Sequence, residues 1–212
     1  GYDRAETERV ADLFRRAGYG DPRVYHDFAE EWTTDHGLPM ERLPRYRNLV
    51  PPTWLNQLLT GHRPSEIHDK ELVLCHAHYR NRPDYEKGHI PGAVALDTLE
   101  LESPETWNRR SPGEISEALK KLGIRQDTTV VLYGRFSAPD NADPFPGSSA
   151  GHLAAFRCAF IMMWAGVEDV RILNGGLQSW LDEGFEIDTE EVLPNPVEEF
   201  GVELPGRTEL AV

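Results

Sequence analysis

The sequence predicts an α/β protein built on an open, largely parallel β-sheet. From about residue 50 to about residue 185, short apolar runs typical of buried strands alternate with segments whose apolar residues recur at helical spacing. One of these runs, residues 129–133, leads through a long polar loop to an apolar helix over residues 153–165. At such a junction, unpaired backbone N–H groups and the positive end of a helix dipole can bind an anion. The functional site is therefore expected there.

The composition is that of a globular protein and excludes two classes of partner. Among the 212 residues 36 are acidic and 22 are basic, which gives a formal net charge of −14. This charge repels nucleic acid and anionic membrane surfaces, so neither is expected as a partner. No run approaches the length of about 18 apolar residues that a membrane span needs, which predicts a soluble protein. Two cysteines do not identify a redox compartment, and both a cytoplasmic and a periplasmic location stay open.

The first 28 residues predict an incomplete folding unit. Asp3 can cap a helix that runs to about Ala17, and a strand is predicted over residues 23–28. One helix and one strand cannot bury a core by themselves, so residues 1–28 are interpreted as the tail of a domain. Residues 29–49 are polar and interrupted by prolines, which indicates a linker.

Residues 50–187 predict a complete α/β domain. Ser111 and Glu114 form a capping box with Pro112 at the first helical position, a pattern that begins a helix. The other predicted elements are a short helix after Pro52, strands at 71–74 (continuing towards Tyr79), 94–96 and 129–133, the helix at 153–165, a strand before Asn174 and a helix with Leu177, Trp180 and Leu181. The acidic, proline-rich residues 188–212 are interpreted as a linker to a following domain.

Two short motifs carry a resemblance to a known family. Gly88-His89-Ile90-Pro91-Gly92-Ala93 lies early in the domain, and Asp169-Val170-Arg171-Ile172-Leu173-Asn174-Gly175-Gly176, followed by Trp180, lies near its end. With these motifs the chain resembles the rhodanese-like (thiosulfate sulfurtransferase) family. The resemblance implies a five-stranded parallel sheet with helices on both faces over residues 50–187.

The chain is especially similar to a middle or N-terminal non-catalytic copy of a multi-domain rhodanese. Residues 2–28 repeat the layout of residues 133–173, with a loop, an amphipathic helix, an Ala-Gly pair and a strand. On this interpretation residues 1–28 are the C-terminal remnant of a preceding rhodanese-like domain. Residues 29–49 and 188–212 are then linkers on either side of residues 50–187.

The predicted active-site loop departs from the family pattern. In active members the resemblance implies a cysteine directly after the central strand, which holds sulfur from thiosulfate or a similar donor as a persulfide. Here that position holds Gly134, while Arg135 keeps the basic residue beside it. The loop is also longer, and its prolines remove amide donors while its aspartates oppose an anion. A non-catalytic copy is therefore predicted, with a degenerate loop that includes Gly134, Arg135, Phe136, Ser137, Ser148, Ser149, Gly151 and His152.

Five further residues are candidates for chemistry or for structure. Cys158 lies on the apolar helix, which favours packing. In a strand, His76 and His78 would share one face and could share a metal, while Cys75 would point away; alternatively the strand has ended and all three are polar loop residues. His89 is expected to have a structural role in the turn before Pro91.

The main hypothesis is a segment of a tandem rhodanese-type sulfurtransferase whose reactive cysteine lies in another copy. It predicts neighbouring rhodanese domains of the same chain and a small sulfur-containing anion as partners, and no cofactor or metal. A second hypothesis is a binding module in which loop 136–152 recognises a protein or a small ligand. A third is a metal-dependent activity at His76 and His78.

Overall fold

The computed structural model separates the chain into two compact units, Gly1–Tyr46 and Arg47–Val212. In the first unit helix α1 spans Arg4–Arg16, close to its predicted bounds. Ala11 is buried, whereas Leu13 and Phe14 are exposed. Of the strand predicted at 23–28, residues 23 and 24 have no regular structure and the rest lies outside the described residues. The structure describes residues 4–20, 22–24, 45–62, 67, 70–135 and 151–210.

The second unit contains a five-stranded parallel sheet, which confirms the predicted fold class. Its strands are β1 (Leu49–Val50), β2 (Leu72–His78), β3 (Val94–Asp97), β4 (Thr129–Tyr133) and β5 (Asp169–Leu173). The order across the sheet is β1-β5-β4-β2-β3, and every pair is parallel. Strand β4 therefore lies at the centre, and the carboxyl ends of all strands meet at one edge.

Helices cover both faces of this sheet. They are α2 (Pro52–Leu59), α3 (Arg82–Glu86), α4 (Pro112–Lys121), α5 (Gly151–Ala165) and α6 (Gly176–Asp182). Alternate residues of β4 divide the core, because Val130 and Leu132 pack in the cluster with α4 and α5 while Val131 and Tyr133 pack in the cluster with α2 and α6. None of the helices in the described residues is both long and apolar enough to span a membrane.

The predicted capping box begins α4. The Ser111 hydroxyl accepts a hydrogen bond from the Glu114 amide, and the Glu114 carboxylate accepts one from the Ser111 amide at 3.1 Å. Two of the amides left unpaired at a helix start are satisfied in this way. The helix buries Ile115 and Leu119 as the spacing predicts.

The tail from residue 188 to residue 210 packs along the surface of the second unit. Phe200 is buried in the core beside α4 and α5, and its carbonyl oxygen accepts a hydrogen bond from the Gln126 amide at 2.8 Å. Further main-chain hydrogen bonds join Val197 to Lys120 at the end of α4 and Gly206 to Ala165 at the end of α5. A linker can cross a domain surface in this manner, so the following domain stays a prediction.

Candidate functional site

The candidate site lies at the carboxyl end of the central strand β4, where Tyr133 is followed by Gly134 and Arg135. The Gly134 carbonyl oxygen accepts a hydrogen bond from the Leu177 amide at 3.1 Å, which ties the loop to the first turn of α6. Gly176 has a φ of +60°, and a Cβ there would lie 2.5 Å from the Gly134 oxygen. The Gly-Gly motif after β5 therefore permits the close approach that positions the start of the loop.

Arg135 brings a cation to this edge of the sheet. Its Nη1 lies 3.4 Å from the Asp84 carbonyl oxygen and 3.7 Å from a carboxylate oxygen of the same residue, on α3. The arginine side chain is about a third exposed (37%), so solvent screens the pair. Arg135 thus supplies positive charge at the loop start, partly balanced by Asp84.

His76 lies beneath the start of the loop and is fully buried. Its ring stacks on the Tyr133 ring with centroids 5.0 Å apart and planes 9° apart. Neither ring nitrogen has a hydrogen-bond partner among the described residues. Burial lowers the pKa of His76 to about 3, and the charges of His78, His89 and Arg135 act in the same direction. His76 is therefore a neutral ring at physiological pH and packs as an aromatic group.

The turn at residues 88–93 is held by a second stacked pair. The His89 ring lies parallel to the Tyr85 ring at 3.9 Å, and its Nδ1 donates to the Tyr85 carbonyl oxygen at 3.0 Å. The Ile90 amide donates to the Tyr133 hydroxyl at 2.9 Å, which joins this turn to β4. His89 therefore has structural contacts of the kind predicted for it.

Tyr85 joins this turn to the tail, and its hydroxyl group can be tested. The hydroxyl donates to the Ala93 carbonyl oxygen at 3.0 Å and accepts from the Val192 amide at 2.9 Å. Because Tyr85→Phe leaves both groups without this partner, we expect a loss of about 1–3 kcal/mol in the free energy of unfolding. Urea denaturation measures this loss, and hydrogen exchange should accelerate at the Val192 amide. The exposed Tyr19→Phe is the control, and an equal change there would contradict the assignment.

Neither cysteine thiol of the chain is placed to react. Cys75 is fully buried, and burial together with Glu100 raises its thiol pKa to about 12. Cys158 is also fully buried, as expected for the apolar helix, and burial raises its pKa well above the ordinary value. Because the thiolate is the nucleophile in sulfur transfer, neither residue has the protonation state or the access that the reaction needs.

His76 and His78 belong to β2, so the alternative that the strand ends before them is wrong. Their ring centroids lie 6.3 Å apart. His78 Nδ1 is 3.7 Å from an Asp97 carboxylate oxygen, and burial outweighs this charge and lowers the histidine pKa. In the ranges that the structure describes, no three His, Cys, Asp or Glu side chains form a group that could hold a metal ion. The metal hypothesis gains no support there.

The remaining loop residues are only partly described. Phe136, Ser137, Ser148 and Ser149 lie outside the described residues. Gly151 and His152 form the first turn of α5, so this helix begins two residues before the predicted start. Of the predicted loop, the described site therefore contains Gly134 and Arg135.

Sequence reasoning missed the aromatic layer under the site, in which His76, Tyr85, Tyr133 and His89 pack together. A signal was present in the strand ends. His76 and Tyr133 are register partners on β2 and β4, and both belong to runs that a parallel sheet would place side by side.

Comparisons with known proteins agree with this fold. The family model for the rhodanese-like domain matches residues 65–183, more than half of the chain. Thiosulfate sulfurtransferase YnjE of Escherichia coli is 37% identical over 81% of this chain and 36% of its own length. Sulfur carrier protein TtuD of Thermus thermophilus is 36% identical over 67% of this chain and 42% of its own.

Solved structures are similar over the whole chain. A variant of EanB in complex with ergothioneine, and the anaerobic ergothioneine biosynthesis enzyme from Chlorobium limicola with its natural substrate trimethyl histidine, are each 54% identical with a TM-score of 0.80. The similarity covers 100% of this chain and 50% of each of theirs, so the chain spans about half the length of these proteins. Together, the family-model match, the five-stranded parallel sheet and these relatives show that the chain belongs to the rhodanese-like family.

Proposed function

We propose that this chain is a non-catalytic rhodanese-like copy within a tandem sulfurtransferase, in which a cysteine of another copy carries the sulfur. One observation carries the proposal: Gly134 occupies the position after β4 where the resemblance implies the reactive cysteine. The two cysteines of this chain cannot replace it, because both are buried with raised thiol pKa values. The copy keeps the strand, Arg135 and the glycine turn, and so keeps the scaffold.

The chemistry of the parent protein would proceed in two steps. A thiolate attacks the outer sulfur of thiosulfate, the sulfur–sulfur bond breaks, sulfite leaves and a cysteine persulfide forms. The names of the curated relatives support thiosulfate as the donor. Among the solved relatives, EanB has a form with a persulfide on a cysteine.

For the sulfur acceptor we propose the imidazole ring of trimethyl histidine. The 54% identity to the Chlorobium limicola enzyme, solved with trimethyl histidine as its natural substrate, supports this acceptor over a simple thiol. In the transfer, the outer sulfur of the persulfide bonds to a ring carbon and the sulfur–sulfur bond breaks. The proton that this carbon loses is transferred to the thiolate that the cleavage releases.

Intact-mass spectrometry after incubation with thiosulfate tests the non-catalytic assignment. The 212-residue chain is expected to gain no sulfur atom and to release no thiocyanate with cyanide. The full-length gene product, as the positive control, is expected to gain one sulfur on a cysteine outside this chain and to convert trimethyl histidine to ergothioneine. A sulfur adduct on the isolated chain that disappears in Cys75→Ser would refute the assignment. If the full-length protein transfers sulfur to cyanide but not to trimethyl histidine, the proposed acceptor is refuted.

The binding-module hypothesis depends on loop 136–152. Most of that loop lies outside the described residues. The hypothesis stays a prediction, as does the small sulfur-containing anion expected near Arg135.

A further inference from the structure

Helix α5 has apolar residues on every side, which is unusual for a helix at a domain surface. Its sequence contains one charged residue, Arg157, and that guanidinium pairs with the buried Glu102. The outward face of α4, in contrast, has Glu114, Glu117 and Lys121 exposed. A helix that is apolar all round is normally buried all round. The outer face of α5 is therefore expected to be covered in the complete protein.

The exposed part of α5 forms one apolar face. Leu153, Phe156 and Phe160 are 49%, 47% and 39% exposed, and their spacing places them on the same side of the helix. Trp107, from the loop before α4, is 57% exposed and lies near the same face. We define Phe156, Phe160 and Trp107, together with the adjoining Leu153, as the aromatic patch.

Trp107 is held in place by contacts that fix an unfavourable backbone. Its φ is +55°, in the left-handed region that bulky side chains rarely adopt. The Trp107 amide donates to the Ser103 carbonyl oxygen at 2.9 Å, and its own carbonyl oxygen accepts from Arg157 Nη2 at 3.3 Å. The indole also contacts the Tyr79 ring at 5.3 Å. Backbone strain that surrounding contacts maintain clusters at active sites, ligand clamps and switch regions.

The patch borders a cavity that can receive large side chains. The cavity has a volume of about 460 Å³, and its walls include Trp107, Phe156, Phe160, Met163 and Arg109. Arg109 stacks over the buried Trp164 at 4.0 Å, which gives the apolar wall a cationic side. Pockets of this kind, with aromatic walls and an arginine, are where protein interfaces concentrate their binding energy.

The course of the tail indicates what covers the patch. Gly206 and Arg207 are hydrogen-bonded to Ala165 and Trp164 at the end of α5. The tail therefore reaches the end of the helix that carries the patch, where Ala165 lies about one and a half turns beyond Phe160. The solved relatives that match this whole chain at 54% identity are about twice as long.

We infer that the aromatic patch is the docking surface for a second rhodanese-like domain of the same polypeptide. This inference rests on the proposed tandem function and adds the surface through which this copy contacts the catalytic one. An apolar side chain of the second domain fills the cavity beside Trp107. The outer face of α5 becomes the centre of the interface.

Hydroxyl-radical footprinting of the isolated 212-residue chain and of the full-length gene product tests the inference. Trp107, Phe156 and Phe160 should be oxidised in the isolated chain and protected about five-fold or more in the full-length protein. Leu193, on the tail and 76% exposed, should be labelled equally in both. Equal labelling of the three aromatic residues in both proteins would overturn the inference. Protection in the isolated chain as it dimerises would also overturn it, because the patch would then belong to a second copy.

A pair of variants separates docking from folding. Phe156→Asp is expected to lower the melting temperature of the full-length protein by about 4 °C or more and to change that of the isolated chain by about 1 °C or less. Leu193→Asp, the matched control, should change neither. An equal shift from Phe156→Asp in both proteins would place the role of Phe156 inside this domain and refute docking. Sulfur transfer is measured on the same samples. If the three aromatic residues are protected in the full-length protein but no sulfur is transferred, only the proposed function is refuted. If sulfur is transferred but these residues stay exposed, only docking is refuted.

Discussion

Replacement of Gly176 by alanine is expected to reduce the free energy of unfolding by about 3 kcal/mol or more. Two costs combine at this position. Its φ of +60° disfavours any side chain, and a Cβ would lie 2.5 Å from the Gly134 carbonyl oxygen. Because that oxygen belongs to the backbone and accepts the Leu177 amide, it cannot move away without loss of the hydrogen bond. Urea denaturation monitored by tryptophan fluorescence measures the change.

Gly184→Ala is the matched control for this prediction. Gly184 has a similar φ of +74°, but no atom lies within 4 Å of the position of its Cβ. Only the backbone cost remains, and a loss of about 1 kcal/mol is expected. If the two variants lose the same stability, the close approach between Gly176 and Gly134 has no energetic role.

The stability of the domain is expected to fall steeply as the pH drops below about 6.5, partly because of His76. In the folded protein its pKa is lowered to about 3, whereas the unfolded chain has an ordinary histidine pKa of about 6.5. Between these two values the unfolded state binds a proton that the folded state does not. Protonation therefore favours unfolding, at up to about 1.4 kcal/mol for each pH unit in this window. The contribution of His76 is complete above pH 6.5 and is lost as the pH falls towards 3.

His76→Phe isolates this contribution from that of the carboxylates. A phenyl ring can keep the stack on Tyr133, and no hydrogen bond is lost because neither His76 ring nitrogen has a partner among the described residues. At pH 7 the variant should be within about 1 kcal/mol of the natural protein, with a shallower fall in stability at acid pH. Denaturation curves from pH 7 to pH 4 measure both. His62→Gln, at an exposed position, is the control, and identical slopes for all three proteins would contradict a neutral buried His76.

Much of the fold could be predicted because several strands and helices have clear local sequence patterns. The run Val130-Val131-Leu132 is typical of a buried strand, and the capping box at Ser111 and Glu114 is typical of a helix start. Strand β1 was missed because its two residues, Leu49 and Val50, are too few to show a period. Its position depends on β5, which lies far along the chain.

The missed features depend on contacts between distant residues. The polar sequence Cys75-His76-Ala77-His78 resembles a strand end, and its burial arises because Tyr133 and Tyr85 supply aromatic surface to His76. The tail resembles a solvated linker in composition, but Phe200 is buried in the core and Val192, Val202, Leu204 and Leu210 pack against it. The replacement of a cysteine by Gly134 could be recognised from the sequence, because this needs only the identity of the residue that follows a recognisable strand.

The packed tail also means that the recognisable domain and the cooperative folding unit differ in extent. The match to the family model ends at residue 183, but Phe200 is part of the hydrophobic core. A polypeptide that stops at residue 183 would contain both sequence signatures and would still lack part of its own interior. During synthesis, the domain can therefore complete its core only after the segment beyond α6 has emerged.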